Sequence, residues 1–297
     1  MCDNRPLVSC VIPSYKRADT LKRAIESVLN QTYSNLEVLV VDDNIAGDEY
    51  SEELKKIIKW FEYDSRVKLI TQIKHINGAA ARNAGIKAAN GIYISFLDDD
   101  DAFLPTKIET QVAFLESNTN YGGCSCLANI YKGNSLISSG FYNGKEVSLF
   151  NILKRDVRIS NSTFLCKKEV LMRFGGFDEN LRRGQDIQLL ADFVNYAPVF
   201  IIREHLVNMY ADSEINRPTA NNHIILINDL FKSQDHNLQK LSKTEQKRVK
   251  AAYYFELAYV AIKSKKYFLA IKYLSKIGIN IDAYRDMIKR YRERKIK

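Results

Sequence analysis

Short apolar runs alternate with amphipathic stretches through the first hundred residues, and this alternation restricts the fold more than any other feature of the chain. Leu7 to Ile12 is an apolar run ended by Pro13, the pattern of a buried strand. Leu21, Ile25, Val28 and Leu29 then recur at helical spacing behind possible caps at Asp19 and Thr20. Val38 to Val41 gives a second buried strand, and Leu54, Ile57, Ile58 and Phe61 a second amphipathic helix. Val67 to Ile73 predicts a third strand, Ala79 to Ala89 a third helix and Ile92 to Leu97 a fourth strand. Repeated β-α units of this length predict an α/β body with a mainly parallel sheet and helices on its faces. Ligands of such sheets bind beyond the carboxyl ends of the strands.

The later pattern is less regular. Tyr121 to Phe141 reads as a hairpin around Lys132-Gly133-Asn134, with helices expected at Ser148 to Lys154, Lys168 to Phe174 and Asp186 to Tyr196. Short strands are expected near Val199 and Leu206. After about Asn216 the chain reads as wholly helical, so the expected division is a body over 1–215 and a helical extension over 216–297. Ser242 to Glu245 has the spacing of a capping box. Val249, Ala252, Tyr253, Leu257 and Val260 mark one face of the helix it opens, and Tyr267, Ala270, Ile271 and Leu274 repeat that stripe in the next.

Charge separates the same two regions. Lys232 to Lys297 holds 18 Lys and Arg against 6 Asp and Glu, a net +12, while the rest of the chain carries −3. A nucleic-acid-binding body is therefore not expected. The basic segment interleaves Lys263, Lys265, Lys266, Lys272, Lys276, Lys289, Arg290, Arg292, Arg294, Lys295 and Lys297 with tyrosines, including Tyr259, Tyr267, Tyr273, Tyr284 and Tyr291. That mixture suits either an anionic membrane surface or a solvated helix face with its tyrosines in the core. No apolar run is long enough to cross a bilayer and the first six residues lack a signal-peptide pattern, so the expected location is cytoplasmic. Cys2, Cys10, Cys124, Cys126 and Cys166 form no C-x-x-C pair, and the last four fall in apolar stretches that suit buried thiols.

Three acidic sites fall at strand ends or loops. Asp42-Asp43 follows the second strand, Asp98 to Asp101 follows the fourth, and Asp186 stands at an expected helix start. Four consecutive carboxylates cannot all be buried without a compensating cation, and a hard divalent ion with oxygen ligands is the simplest one. Each site also has a plain structural reading: Asp42-Asp43 as a turn, Asp101 as the start of the next helix, Asp186 as an N-cap. A calcium loop at Asp98 fails because Ala102 and Phe103 stand where a ligand and a glycine belong.

Six segments in order carry a more specific signal. They are Val11 to Tyr15, Leu29 to Tyr33, Val40 to Asp43, Asn77-Gly78 with Ala81 to Gly85, Tyr93 to Asp101, and Gly175 to Leu181. Together the series resembles the inverting family-two glycosyltransferases of the GT-A fold, over about Leu7 to Tyr210. The resemblance implies a Rossmann-like GT-A domain with a C-terminal helical extension and a nucleotide-sugar donor. It implies that Pro13 and Ser14 line the nucleotide pocket and that Tyr15 stacks on the base. Asp43 would accept a hydrogen bond from uracil, and Arg82 would lie near the diphosphate. Asp100, with Asp98, would ligate Mn2+ or Mg2+, and Asp98 or Asp99 would hold the ribose or a metal-bound water. Asp186 would be the general base that deprotonates the acceptor hydroxyl.

The sequence departs from that family in three places. Gln185 replaces the usual Glu before the catalytic Asp, Lys16 stands where Asn is frequent, and no Gln-x-x-Arg-Trp motif of processive synthases is present. Addition of a single sugar is the expectation. The resemblance further implies UDP-glucose or UDP-galactose as donor and a lipid-linked N-acetylhexosamine, GlcNAc-diphospho-undecaprenol, as acceptor in cell-surface polysaccharide synthesis of the O-antigen type. A soluble or protein acceptor is the alternative. A nucleotidyltransferase would need a Gly-rich activating loop, which is absent between Val11 and Asp19, and the Asp98-x-Asp100 and Asp186 set argues against a non-catalytic binding module.

Overall fold

The computed structural model describes residues 5–139, 147–211 and 220–278, together with 282 and 284–286. The expected boundary at 215/216, Phe141 at the hairpin's end, and Lys289, Arg290, Tyr291, Arg292, Arg294, Lys295 and Lys297 lie outside the described residues.

Among the described residues nine strands form one sheet: β1 Val8–Ser14, β2 Leu36–Asp42, β3 Val67–Thr71, β4 Tyr93–Phe96, β5 Ala102–Phe103, β6 Gly123–Lys132, β7 Ser135–Ser139, β8 Phe164–Lys167 and β9 Val199–Tyr210. Their order is β3-β2-β1-β4-β8-β6-β9-β5, with β7 paired to β6. The β1–β2, β2–β3 and β1–β4 pairs are parallel, as the alternation predicts. Beyond β4 the sheet turns mixed, because β8 runs antiparallel to both β4 and β6. Every residue of β1 and β2 is buried, which accounts for runs with no polar alternation. The expected strands near Val199 and Leu206 are one continuous strand, β9, parallel to β6 across a register shift.

Eleven α-helices occur among the described residues. In the first part these are α1 Ala18–Leu29, α2 Glu49–Ile58, α3 Gly78–Ala88 and α4 Lys107–Ser117. Next come α5 Leu149–Leu153, α6 Lys168–Phe174 and α7 Gln185–Phe193. The last four are α8 Ala220–Ser233, α9 Asp235–Leu238, α10 Lys243–Lys263 and α11 Tyr267–Ser275. Neither Asp19 nor Thr20 caps α1: the N-cap is Arg17, whose side chain makes no capping bond. The capping box at Ser242 and Glu245 is present.

The chain forms two compact units. One comprises Met1–Tyr142, Ile159–Asn180 and Asp192–Asp212 and holds the whole sheet. Its core joins Cys10, Ile12, Leu21, Ile25, Val38, Val40 and Leu97 with the inward faces of α1 and α4. Cys10, Cys124, Cys126 and Cys166 are free and buried.

The other unit comprises Asn143–Arg158, Leu181–Ala191 and Ser213–Lys297. There α10 buries the expected stripe, with Val249, Ala252, Tyr253, Leu257 and Val260 all enclosed. The stripe of α11 does not follow suit. Ala270 is buried, but Tyr267 is 60% exposed, Phe268 93% and Ile271 64%. An ion network ties Lys154 and α10 to Asp286: Lys154 Nζ lies 2.9 Å from both Asp156 and Asp286, and Arg248 also donates to Asp286. The paired cations outweigh the cost of burying Asp286, and its carboxyl lies below the usual range.

Candidate active site

The carboxyl ends of β1 and β2 lie side by side, with Pro13 opposite Val41 and Ser14 opposite Asp42. The chain leaves β1 through Tyr15 and then Lys16, whose φ of 58° is left-handed. Asn tolerates that backbone better than lysine does. The Lys16 amide donates to Asn44 Oδ1 at 2.9 Å, tying the two strand exits together.

The neighbouring acids have separate tasks. Asp42 is fully buried and accepts from the Asn44 amide and side chain and from Ser51 Oγ, so it builds the turn. Asp43 faces the loop after β3. Its Oδ2 lies 3.0 Å from His75 Nδ1, and its Oδ1 accepts from the Ile76 amide at 3.3 Å. Burial pushes the Asp43 carboxyl up, with His75 acting against that. The His75 ring is stacked on Tyr15, with centroids 3.9 Å apart and planes 16° from parallel.

Beyond β4 the acidic run alternates. Asp99 and Asp101 are buried at 5% and 3% exposure, whereas the side chains of Asp98 and Asp100 are 32% and 19% exposed. Asp101 is structural: its Oδ2 accepts from Ser162 Oγ at 2.6 Å, its Oδ1 accepts from the Tyr210 amide, and Ser162 Oγ in turn accepts the Asp98 amide. It does not begin a helix, since α4 starts at Lys107.

Three arginines serve the run. Arg82 donates to Asp98 Oδ1 at 2.5 Å, Arg17 pairs with Asp99 and Asp100, and Arg23 donates to the Asp100 carbonyl at 2.6 Å. Arg17 and Arg23 also have buried Nε groups with no hydrogen-bond partner among the described residues. Burial pushes the Asp99 carboxyl up to about 7, Arg17 opposes this, and the neighbouring Asp100 adds to it. Burial also raises Asp100, again against Arg17.

This arrangement fits a divalent cation in charge and donor chemistry. Four carboxylates crowd one turn, burial pushes those of Asp99, Asp100 and Asp101 up, and the outward pair offers hard oxygen ligands. No group of three His, Cys, Asp or Glu converges as a cage among the described residues. An ion here would complete its shell with phosphate oxygens and water, the usual mode for Mg2+ beside a nucleotide.

The remaining motif residues position these groups. Asn83 accepts from the Phe177 amide at 3.0 Å and donates to the Phe177 carbonyl and to Glu179, locking α3 to the Gly175–Glu179 turn. A Cβ on Gly85 would sit 2.3 Å from Val11, so only glycine lets α3 approach β1 this closely. Asp186 lies in the first turn of α7, half-buried, one residue inside the helix and not at its N-cap. It belongs to the second unit, and the other candidate residues belong to the first. Gln185 is turned back onto the Leu181 carbonyl at 2.6 Å. The sequence reading did not single out His75, Arg17 or Arg23, whose significance comes from what the fold brings against them.

A mixed sheet whose first four strands run parallel, with an acidic turn after β4, has the GT-A fold, and the chain belongs to glycosyl transferase family 2, whose profile matches residues 9–181. An uncharacterized glycosyltransferase of Rickettsia typhi is 30% identical over 275 residues, covering 88% of this chain and 80% of that protein. The UDP-Glc:alpha-D-GlcNAc-diphosphoundecaprenol beta-1,3-glucosyltransferase WfgD of Escherichia coli is 33% identical over 171 residues, 57% of this chain and 63% of that enzyme. The match spans only 25% of the length of a Rickettsia bellii glycosyltransferase that is 35% identical over 182 residues.

Solved structures agree on the fold. S. aureus TarS 1-349 in complex with UDP-GlcNAc aligns with a TM-score of 0.64 at 16% identity, covering 96% of this chain and 91% of that one. The mannosyltransferase PcManGT from Pyrobaculum calidifontis, in complex with GDP-Man and Mn2+, gives 0.62 at 16% identity, covering 97% and 80%.

Proposed function

We propose that this protein transfers one hexose from UDP-glucose or UDP-galactose to a hydroxyl of a lipid-linked N-acetylhexosamine, GlcNAc-diphospho-undecaprenol, inverting the anomeric centre. The observation that carries the reading is the alternation of open Asp98 and Asp100 with buried Asp99 and Asp101, flanked by Arg17, Arg23 and Arg82. Such a strip of outward carboxylates and guanidinium groups suits a diphosphate and its counter-ion. The glucosyltransferase relative from Escherichia coli supports the choice of donor and acceptor.

In this reading Tyr15 stacks on the base and Asp43 accepts its N3–H, with Pro13 and Ser14 lining the pocket. Arg82 swings part of its hydrogen bonding from Asp98 to a phosphate oxygen, where its planar fork binds two acceptors. Asp98 and Asp100 would hold Mn2+ or Mg2+, which when bound neutralises charge on the departing nucleoside diphosphate. Asp99 holds the ribose. Asp186 removes the proton of the acceptor hydroxyl as that oxygen attacks. One displacement by this route converts an α-linked donor into a β-linked product.

The lipid-linked acceptor finds support in α11. Tyr267, Phe268 and Ile271 stand in solvent, with Lys265, Lys266 and Lys272 on the same short segment. Apolar rings among lysines suit the headgroup level of an anionic leaflet, and each basic residue there contributes about 1 kcal/mol. In this reading attachment is peripheral, on the cytoplasmic face; no helix among the described residues is long and apolar enough to cross a membrane. Incubation with UDP-glucose, UDP-galactose, Mn2+ and a synthetic GlcNAc-diphospho-lipid tests the whole reading. Mass spectrometry should find the acceptor one hexose heavier, and an unmodified acceptor with every nucleotide sugar offered would refute it.

A further inference from the structure

The loop between β3 and α3 carries a side chain that the proposed chemistry leaves unused, His75. Its imidazole meets Tyr15 and Asp43. It lies flat on Tyr15 at 3.9 Å, and its Nδ1 sits 3.0 Å from Asp43 Oδ2 and 3.0 Å from the Asp43 carbonyl. Both of those oxygens are acceptors, so the Nδ1 position must carry the proton. The ring therefore presents a flat π-face to Tyr15 and an in-plane N–H to Asp43. A uracil ring bound by Tyr15 and Asp43 would offer the same two things, a π-face and its N3–H.

We propose that His75 is a built-in stand-in for the donor base, occupying the base site until a nucleotide displaces it. This inference rests on the reading of Tyr15 and Asp43 as the base site. Displacement is sterically open. The imidazole is about a third exposed, and its loop neighbours Ile73 and Ile76 are 90% and 46% exposed, so the ring sits on a surface loop and outside the core. While the nucleotide is absent, the histidine satisfies a carboxylate that is itself 2% exposed and would otherwise be buried with a vacant acceptor. The nucleotide must then compete with an intramolecular ligand, and its apparent affinity falls by the fraction of molecules in which the site is open. Selectivity follows as well. Cytosine has no N3–H, cannot replace the imidazole's bond to Asp43, and is the poorer displacer.

The arrangement makes a prediction opposite in sign to that for an ordinary pocket residue. Removing a side chain that contacts the ligand weakens binding, whereas removing a competitor strengthens it. Calorimetric titration of UDP in the presence of Mn2+ should give a Kd for His75→Ala about 3–10-fold below that of the parent chain. His75→Phe, which keeps a ring on Tyr15 but cannot donate to Asp43, should fall between the two. Tyr15→Ala and Asp43→Asn test the base site itself and should each weaken UDP at least tenfold, with melting temperatures confirming that every variant is folded. Equal or weaker UDP binding by His75→Ala, while Tyr15→Ala and Asp43→Asn weaken it, would make the imidazole a wall of the site and overturn the inference. Unchanged binding by Tyr15→Ala and Asp43→Asn would instead remove the base site, and the inference with it.

Discussion

Arg82 Nη2 lies 2.5 Å from Asp98 Oδ1, so the most open carboxylate of the acidic turn is held by the helix that follows β3. The same guanidinium donates to the Gly78 carbonyl at 3.1 Å and lies over the Phe177 ring, which fixes its plane. A lysine can replace its charge but not the fork. Arg82→Ala should lower kcat/KM for transfer by about a hundredfold, the scale of lost charge-assisted bonds to phosphate. Arg82→Lys should recover less than a tenth of the loss. Steady-state kinetics with the nucleotide sugar as varied substrate checks both.

The outward pair of aspartates sets the response to metal. Asp100→Ala should abolish transfer while the melting temperature stays near that of the parent chain, because its side chain is partly exposed and the turn is held by Asp101 and Ser162. EDTA should abolish activity in the parent chain, and Mn2+ or Mg2+ should restore it. Full activity of Asp100→Ala in the presence of a chelator would rule out this assignment.

Acid stability should depend on Glu37, far from the chemistry in function though not in sequence. Its carboxylate accepts from Ser9 Oγ at 2.6 Å and the Asn90 amide at 2.7 Å, and Lys68 pairs with it. Burial alone would raise its pKa, but Lys68, Ser9 and Asn90 together pull it down to about 2. A carboxyl depressed in the folded state stabilises above its unfolded pKa, and the gain is lost as pH falls through the folded one. Glu37→Gln should therefore cost on the order of 2–3 kcal/mol at pH 7 and almost nothing near pH 2. Denaturant melts at the two pH values measure the difference.

Much of this architecture was legible in the chain. Leu7 to Ile12 and Val38 to Val41 read as buried strands because parallel strands covered on both faces need no alternation, and the structure extends them to Val8–Ser14 and Leu36–Asp42. The place of the acidic run was equally legible, since it directly follows the apolar stretch that forms β4. Arg17 and His75 did not, because each gains meaning only through a tertiary approach: Arg17 meets Asp99 from 82 residues away, and His75 meets Asp43 from 32. Strand β9 looked like two because Arg203 and Glu204 are adjacent and both exposed, which interrupts the period of two where the register shifts. Which face of α11 stays uncovered was not legible, for a different reason. A stripe at helical spacing reports an amphipathic helix, not which surface covers it.

That uncovered face supplies a prediction of its own. The full-length protein should sediment with vesicles containing anionic phospholipid in a salt-dependent way and should ignore neutral vesicles. Phe268→Asp combined with Ile271→Asp should reduce sedimentation at least tenfold while donor hydrolysis continues, because both side chains already stand largely in water. A chain ending near Phe231 should behave the same way towards vesicles. Equal binding to neutral and anionic vesicles without salt dependence would show the segment to be structural.

The stereochemistry of transfer bears most directly on the central claim. If Asp186 deprotonates the acceptor and a single displacement follows, Asp186→Asn should keep donor binding and lower kcat by about two to four orders of magnitude. The decisive measurement is the anomeric proton coupling, by NMR, of the sugar that the parent enzyme transfers from an α-linked UDP-hexose. The account predicts the large coupling of a β-glycoside for glucose or galactose. The small coupling of an α-glycoside would contradict the single displacement and the role given to Asp186.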